Sequence, residues 1–421
     1  DIFFVSRLGD DAVATVGLTE SMLTIVYALA IGIAMATTAM IARRIGEKNI
    51  DGAVRAATQA VAIGILFGIV VGVPCIFLAE DLLSLMGASQ TVIETGSGYT
   101  SILLGTNIVV TLLFLNNAIF RGAGDPALAL RALCLANAIN IVLDPCLIFG
   151  WGPFPELGVT GAAVATSIGR GTGVLYQFWM LRSGRSRIAL RGPAFRIHPK
   201  IMLRLIRLSI GGVTQFLIAT TSWIVLMRIV SPFGNSAVAG YTIAVRIIIF
   251  ALLPSWGLAN AAATLVGQNL GAQRPDRAEQ AVWIAAWSNA VFLGLVTVIF
   301  VIFDDAIVGC FSSTEETVRH GAAALSIISL GYVFYAFGMV VTQAFNGAGD
   351  TMTPTRLNVV CFWMLQIPLS WTLANTAEFG PEGVFWSVTI AQSALALLSV
   401  WIFRKGKWKD TEMAPDDSGT G

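Results

Sequence analysis

Eleven stretches of this chain, each about 20 residues or longer and mostly apolar, decide what it can fold into. In the first half they lie near 17–41, 53–79, 91–118, 127–150 and 158–181. In the second they lie near 204–231, 238–265, 279–303, 318–344, 354–375 and 383–403. Backbone groups in lipid must be satisfied within helices or closed barrels, and barrels need short alternating strands. These runs are too long and too continuously apolar for strands, so they read as membrane-spanning helices. Composition agrees: 12% of the residues are charged and 56% hydrophobic, where soluble domains carry roughly 25% charged residues. The 26 Lys+Arg and 25 Asp+Glu nearly cancel, leaving no basic excess to suggest a nucleic-acid partner. Five cysteines, at 75, 134, 146, 310 and 361, sit in or beside apolar stretches with no C-x-x-C pair, against a disulfide framework or a zinc site. The expectation is an all-α integral membrane protein whose partner is the lipid bilayer.

The loops predict an orientation. Arg182, Arg185, Arg187, Arg191, Arg196, Lys200, Arg204 and Arg207 follow one another without an intervening acid, which assigns that loop to the cytoplasm. Alternation then places Arg43, Arg44, Lys48, Arg55, Arg274, Arg277, Arg404, Lys405 and Lys407 inside as well. The acidic connections Glu80–Asp81, Asp304–Asp305 and Glu315–Glu316 fall outside. Both termini of the complete protein are expected to be cytoplasmic. The segment from Asp410 to Gly421 is polar and reads as disordered.

An internal repeat organises the chain. FRGAGD at 120–125 returns as FNGAGD at 345–350, an offset of 225. Gly9, Ala12, Val13 and Ala14 match Gly234, Ala237, Val238 and Ala239 at the same offset, as Gly46 and Asp51 match Gly271 and Asp276. Each repeat holds six helices, so the pseudo-twofold axis is expected along the membrane normal. The expected division is 1–182, a basic linker at 183–202, a second half at 203–405 and a tail at 406–421. The offset pairs Asp1 with Leu226, whereas the second half's first helix begins near Leu203. Twelve spans are therefore expected of a complete protein, with about 23 further first-helix residues ahead of Asp1.

Ionisable groups within a span are functional candidates by default. Of the 25 acids, nearly all fall in loops or the tail, while Asp144 lies inside the apolar stretch 132–150 and Asp1 aligns with Leu226 in a span. Asn140 stands one helical turn before Asp144 on the same face, and Pro145 follows, removing a backbone hydrogen bond there. By depth, Tyr99 and Thr166 lie near the level of Asp144. Oxygen ligands of this kind suit a hard cation, so Na⁺ at Asp1, Asn140, Asp144 and Thr166 is one reading. The other is a buried carboxyl that takes up and releases a proton. The second half has no matching acid, because Leu226 replaces Asp1 and Leu369 aligns with Asp144. Plainer readings exist. Asp144 could be a structural carboxylate paired with mid-span Arg170 or Arg246. Asn140 could satisfy a neighbouring carbonyl, Tyr99 could belong to an interfacial aromatic belt, and Thr166 could bond its own helix. The repeated Gly-Ala-Gly-Asp reads as a tight turn and helix cap, since it lacks the Lys-Ser/Thr pair of a phosphate cradle.

DIFFVSRLG at the start, RGAGD at 121–125, NIVLDP at 140–145 and LVGQNLGA at 265–272 together resemble the multidrug and toxic compound extrusion (MATE) family, with greatest similarity to its bacterial DinF-like branch. The resemblance covers the chain except its tail. It implies twelve helices in two six-helix lobes in the inner membrane. It also implies alternating access and export of organic cations or amphiphilic drugs in exchange for H⁺ or Na⁺, with no other cofactor and as a monomer. By match to the family's motifs, Asp1 is the first-helix aspartate, Asn140 and Asp144 are the fifth-helix pair, and Thr166 is the sixth-helix threonine. Asn117 matches a fourth-helix asparagine of the same lobe, though its depth puts it about 20 Å from Asp144. Gln215 is the nearest polar group to a second-lobe ion site. The runner-up is a flippase of lipid-linked precursors, which would need several cavity cations, where Arg170 and Arg246 offer two. A membrane enzyme is disfavoured, because His198 and His320 both lie in loops without a nucleophile or metal signature.

Overall fold

The computed structural model describes residues 2–190 and 197–411. Among them there is no strand. The helices are α1 (Asp10–Gly46), α2 (Ile50–Phe77), α3 (Gln90–Gly105), α4 (Asn107–Ala123), α5 (Pro126–Phe149) and α6 (Val159–Ser183). They continue with α7 (Pro199–Val230), α8 (Asn235–Gly271), α9 (Pro275–Gly309), α10 (Glu315–Ser329) and α11 (Tyr332–Ala348), then α12 (Met352–Thr376) and α13 (Pro381–Arg404).

Nine helical segments among the described residues are long and apolar enough to cross a membrane, α3 and α4 counting as one. The pair α10 and α11, bent by 57°, makes a tenth if it is one span. The expected span at 158–181 is helical from Val159 onward as α6 but falls short on apolarity. The reason is composition, since Thr166, Ser167, Arg170, Gln177 and five glycines dilute its apolar residues. The outward surface is apolar, with Phe77 80%, Leu85 82% and Phe250 78% exposed. Patches of that kind are excluded from water-soluble monomers and are what a bilayer covers.

The repeat is written in the geometry. α1 and α8 are each 37 residues long, and each follows a glycine, Gly9 or Gly234, with φ of 110° and 104°. α4 and α11 are each 17 residues and end on Gly124 and Gly349 in the left-handed conformation. There the amides of Asp125 and Asp350 return to the carbonyls of Phe120 and Phe345, so Gly-Ala-Gly-Asp is a helix C-cap that only glycine enters without strain. The two aspartates then diverge. Asp350 caps its own next helix, accepting from Thr353 N (3.0 Å) and Thr353 Oγ1 (2.6 Å). Asp125 accepts instead from Ser186 Oγ (2.8 Å) and Arg187 N (2.9 Å), across 61 and 62 residues of chain.

The chain forms two compact units, one of 1–45 and 49–209, the other of 46–48 and 210–421, with the boundary inside α7. In the first unit, Gly64 and Gly68 of α2 let α4 approach so closely that a Cβ would meet Leu115 at 2.4 Å and Ile108 at 2.5 Å. In lipid such packing, rather than exclusion of water, holds helices together. In the second unit, Trp223, Tyr241 and Phe385 stack in a row, with centroids 6.3 and 5.7 Å apart.

Of the stretch expected to be disordered, 410–421, Asp410 is ordered, as the last residue of a 3-10 turn. Lys407–Asp410 forms a 3-10 turn that buries Trp408, stacked on Phe403 at 4.6 Å. Lys409 Nζ reaches Glu279 Oε2 at 2.6 Å. The Glu279 hydrogen bond raises the Lys409 pKa above its ordinary value. Indole stacking and an ion pair outweigh the polarity of this short stretch. Residues 412–421 lie outside the described residues, as do Arg191 and Arg196.

Candidate functional site

Among the described residues Asp144 is the one buried acid, at 1% exposure. It lies in the last turns of α5, which continues through Pro145 and ends on Gly150 in the left-handed conformation. The following loop folds back over the helix end, Leu157 N bonding Leu147 O (3.0 Å) and Gly158 N bonding Ile148 O (3.2 Å). This sets the start of α6 directly beside α5. Three glycines on α6 then keep the helices in contact. A Cβ at Gly161 would lie 2.2 Å from Leu147 O, at Gly169 2.7 Å from Ala136 O, and at Gly173 3.1 Å from Ala136 Cβ.

That close approach brings Asn140, Asp144 and Thr166 together. Asn140 Nδ2 donates to Asp144 Oδ1 at 3.1 Å and to Thr166 Oγ1 at 3.2 Å. One amide thus uses both donors, one on each side. A carboxylate held in such surroundings is costly unless a cation or a proton joins it. Asp1, the fourth residue expected here, lies outside the described residues.

The other expected residues fall elsewhere. Tyr99 is buried in an apolar cluster with Ile148, Ala162 and Ala163, one turn from Asp144 and Thr166, but no described hydrogen bond joins it to them. Asn117 accepts from Gln177 Nε2 at 2.8 Å. Gln177 stands eleven residues beyond Thr166 on α6, roughly 16 Å along the axis, so Asn117 is apart from the cluster. Gln215 ties α7 to the end of α11, donating to Asn346 Oδ1 and Thr351 O at 3.1 Å each. Among the described residues neither Arg170, half-buried one turn after Thr166, nor exposed Arg246 has an ion-pair partner. Two groups were not anticipated. Thr106 and Ser167 share a 2.9 Å hydrogen bond beside Thr166, and Thr19 and Thr100 share one of 2.8 Å beside Tyr99. Only their adjacency in sequence to singled-out residues could have signalled them.

A doubled all-helical membrane chain with a buried carboxylate–amide–hydroxyl cluster in one half has the organisation of a membrane transporter. Comparison with known proteins gives the family. The MatE family model matches residues 1–146 and 213–372, and the chain belongs to that family. It is similar to the probable multidrug resistance protein YoeA of Bacillus subtilis (strain 168), at 25% identity over 409 residues, covering 96% of this chain and 88% of that one. It is also similar to the multidrug export protein MepA of Staphylococcus aureus (strain MSSA476), at 22% identity over 96% and 88%. Among solved structures, a crystal structure of MATE in complex with MaL6 superposes with a TM-score of 0.90 at 25% identity, over 97% of this chain and 92% of that one. The protein is a multi-pass membrane transporter and not an enzyme.

Proposed function

We propose that the protein is an antiporter exporting organic cations or amphiphilic drugs in exchange for H⁺ or Na⁺, by alternating access, with Asp144 as the ion-binding carboxylate of the first half. The observation that carries this reading is the burial of Asp144 together with its link through Asn140 to Thr166. Relatives named for multidrug resistance and multidrug export support the substrate class. An arriving ion neutralises the carboxylate and weakens its hold on the Asn140 amide. The contact between α5 and α6 then differs between the ion-bound and ion-free forms. Coupling arises from that difference, because a ligand shifts an equilibrium only as far as it prefers one state. The amide nitrogen faces both Asp144 and Thr166, the arrangement suited to an ionised carboxylate. A proton on Asp144 weakens that hydrogen bond while leaving the amide's orientation as it is, whereas Na⁺ would draw the Asn140 carbonyl oxygen toward it. Tyr99 lines the apolar wall of the same site. The proposal places the protein in the inner membrane as a monomer, with both termini of the complete protein cytoplasmic.

The test is drug efflux from vesicles of reconstituted protein under a pure pH gradient and then a pure Na⁺ gradient. Asp144→Asn is expected to abolish the gradient-driven component under whichever ion drives the parent. Undiminished efflux from normally inserted Asp144→Asn protein removes Asp144 from the mechanism.

A further inference from the structure

The glycines that open α6 and α13 share one conformation, Gly158 at φ 56°, ψ −137° and Gly380 at φ 58°, ψ −143°. Counted from them, at an offset of 222, Trp-Met-Leu-Arg at 179–182 matches Trp-Ile-Phe-Arg at 401–404, and Gly184 matches Gly406. Both of these later glycines are left-handed, with φ of 73° and 75°, so the two helices end alike as well as begin alike. The outward surface between the ends is repeated too. Ile168, Leu175 and Trp179 stand exposed on α6, and Ile390, Leu397 and Trp401 stand exposed on α13 at the same offset. Eleven residues separate Ile168 from Trp179, roughly 16 Å of helix, and half of a bilayer's hydrocarbon core is about 15 Å. Each stripe is as long as one layer of acyl chains is deep.

Past each tryptophan a cation folds back over the indole. The Arg185 guanidinium carbon lies 4.7 Å from the Trp179 ring centre, and Lys405 Nζ lies 3.3 Å from that of Trp401. These two cations are not matched in sequence, because Arg185 follows its left-handed glycine and Lys405 precedes its own. The contact is kept while the residue supplying it is not, which descent from a common copy does not explain. Trp179 and Trp401 remain 51% and 58% exposed, so the cation covers one face and leaves the rest of the ring open. Aromatic residues at membrane interfaces are general, but a cation held on each ring is an added feature. Among the described residues neither Arg185 nor Lys405 pairs with an acid, whereas Arg187 and Lys409, a few residues on, do so with Asp125 (4.0 Å) and Glu279 (2.6 Å).

We propose that each unit carries a clamp for an anionic phospholipid. An acyl chain lies along the apolar stripe, the indole sits at the boundary between chain and head group, and the stacked cation binds the phosphate. The ring attracts one side of the cation, and the N–H groups directed away from it donate charge-assisted hydrogen bonds to phosphate oxygens. A zwitterionic head group is a poorer guest, since its own ammonium offsets the attraction. The stripe favours a lipid over a soluble phosphate, because only a lipid brings a chain to cover it. Placing both clamps at the cytoplasmic leaflet rests on the proposed orientation, but the binding itself does not.

The test is native mass spectrometry of the detergent-solubilised protein, titrated separately with dioleoyl phosphatidylglycerol and its zwitterionic counterpart dioleoyl phosphatidylcholine. Two phosphatidylglycerol molecules are expected to be retained, each at least about fivefold more tightly than phosphatidylcholine. Arg185→Gln and Lys405→Gln should each weaken one of the two about fivefold, and the double variant should weaken both. Arg319→Gln removes an exposed cation of α10 that sits beside Glu316, and it should weaken neither. Equal retention of the two lipids overturns the proposal, as does indifference to both clamp substitutions. An equal loss in Arg319→Gln also overturns it, by making net charge the cause. Displacement of the lipid by millimolar inorganic phosphate does the same, since the site would then be one for a soluble anion. Should one variant fail to fold, the other and the head-group comparison still decide. Undiminished efflux in the Asp144→Asn vesicles would defeat the coupling proposal and leave these affinities as they are.

Discussion

At the scale of single residues, the first unit's cluster is joined through one amide. Asn140 donates to a carboxylate on one side and to a neutral hydroxyl on the other, and these bonds differ in strength. A hydrogen bond to a charged group contributes about 1.5–3 kcal/mol and a neutral one about 0.5–1.5 kcal/mol. Asn140→Ala is therefore expected to slow the initial rate of gradient-driven efflux by about tenfold or more, and Thr166→Val by only a few-fold. The reverse order would mean that the hydroxyl, not the amide, is the working partner. This trio was legible in the sequence because a four-residue spacing fixes a shared helix face, and depth along a span can be counted. Depth does not say which way a side chain points around its helix. Hence Tyr99 came out at the right level but outside the hydrogen-bonded group. Gln215 fared similarly, since a lone polar residue in an apolar helix reads as a site, whereas its amide is consumed in tying α7 to Asn346 and Thr351.

At the scale of elements, the site depends on how closely α5 and α6 approach. Gly169 tests this beside the cluster itself, because a Cβ would sit 2.7 Å from Ala136 O and 3.1 Å from Asn140 Cβ. Gly169→Ala is expected to destabilise the protein by about 1–3 kcal/mol and to impair efflux by moving Asn140 off Thr166. Gly171, two residues on, has nothing within 4 Å of its Cβ position, so Gly171→Ala is the control and should melt at or above the parent temperature. Equal melting of both variants would count against the packing argument. Helix positions were readable from apolar runs, but two features of the elements were not. The glycines of α6 lowered its apolarity and so concealed the interface they serve. The π-helical stretches of α12, Val359–Gln366 and Thr372–Thr376, leave no mark in hydropathy, because they shift hydrogen bonds without changing which residues are apolar. α5, the equivalent helix of the first half, has no π-helical stretch, so the halves differ in backbone as well as in their acids.

At the scale of the whole molecule, the repeat was the most legible property, since motif order and spacing survive where individual residues have drifted. The folded tail was the least legible. Nothing local in this short stretch reveals that Trp408 finds Phe403 or that Lys409 finds Glu279. Trp408→Ala is expected to lower stability by about 3 kcal/mol, measured by thermal unfolding in detergent, and Lys409→Met by less than about 1 kcal/mol. The raised Lys409 pKa sets the pH dependence of that pair. Its contribution is complete below the ordinary lysine value and is lost only as pH climbs through the raised one. The melting difference between parent and Lys409→Met should stay constant between about pH 6 and 9, and a difference that faded within this range would refute the pairing.

The duplicated Gly-Ala-Gly-Asp turn carries one more consequence. Its glycines do the same job in both copies, while its aspartates do not, Asp350 serving the helix that follows it and Asp125 holding Ser186 and Arg187. Inheritance by duplication has kept a letter at this position and let its meaning drift. In the first copy the acid has become a mooring for the segment that leads toward the second. Matching letters in doubled proteins are thus good evidence of common descent and poor evidence of common employment, and each copy has to be read against its own neighbours.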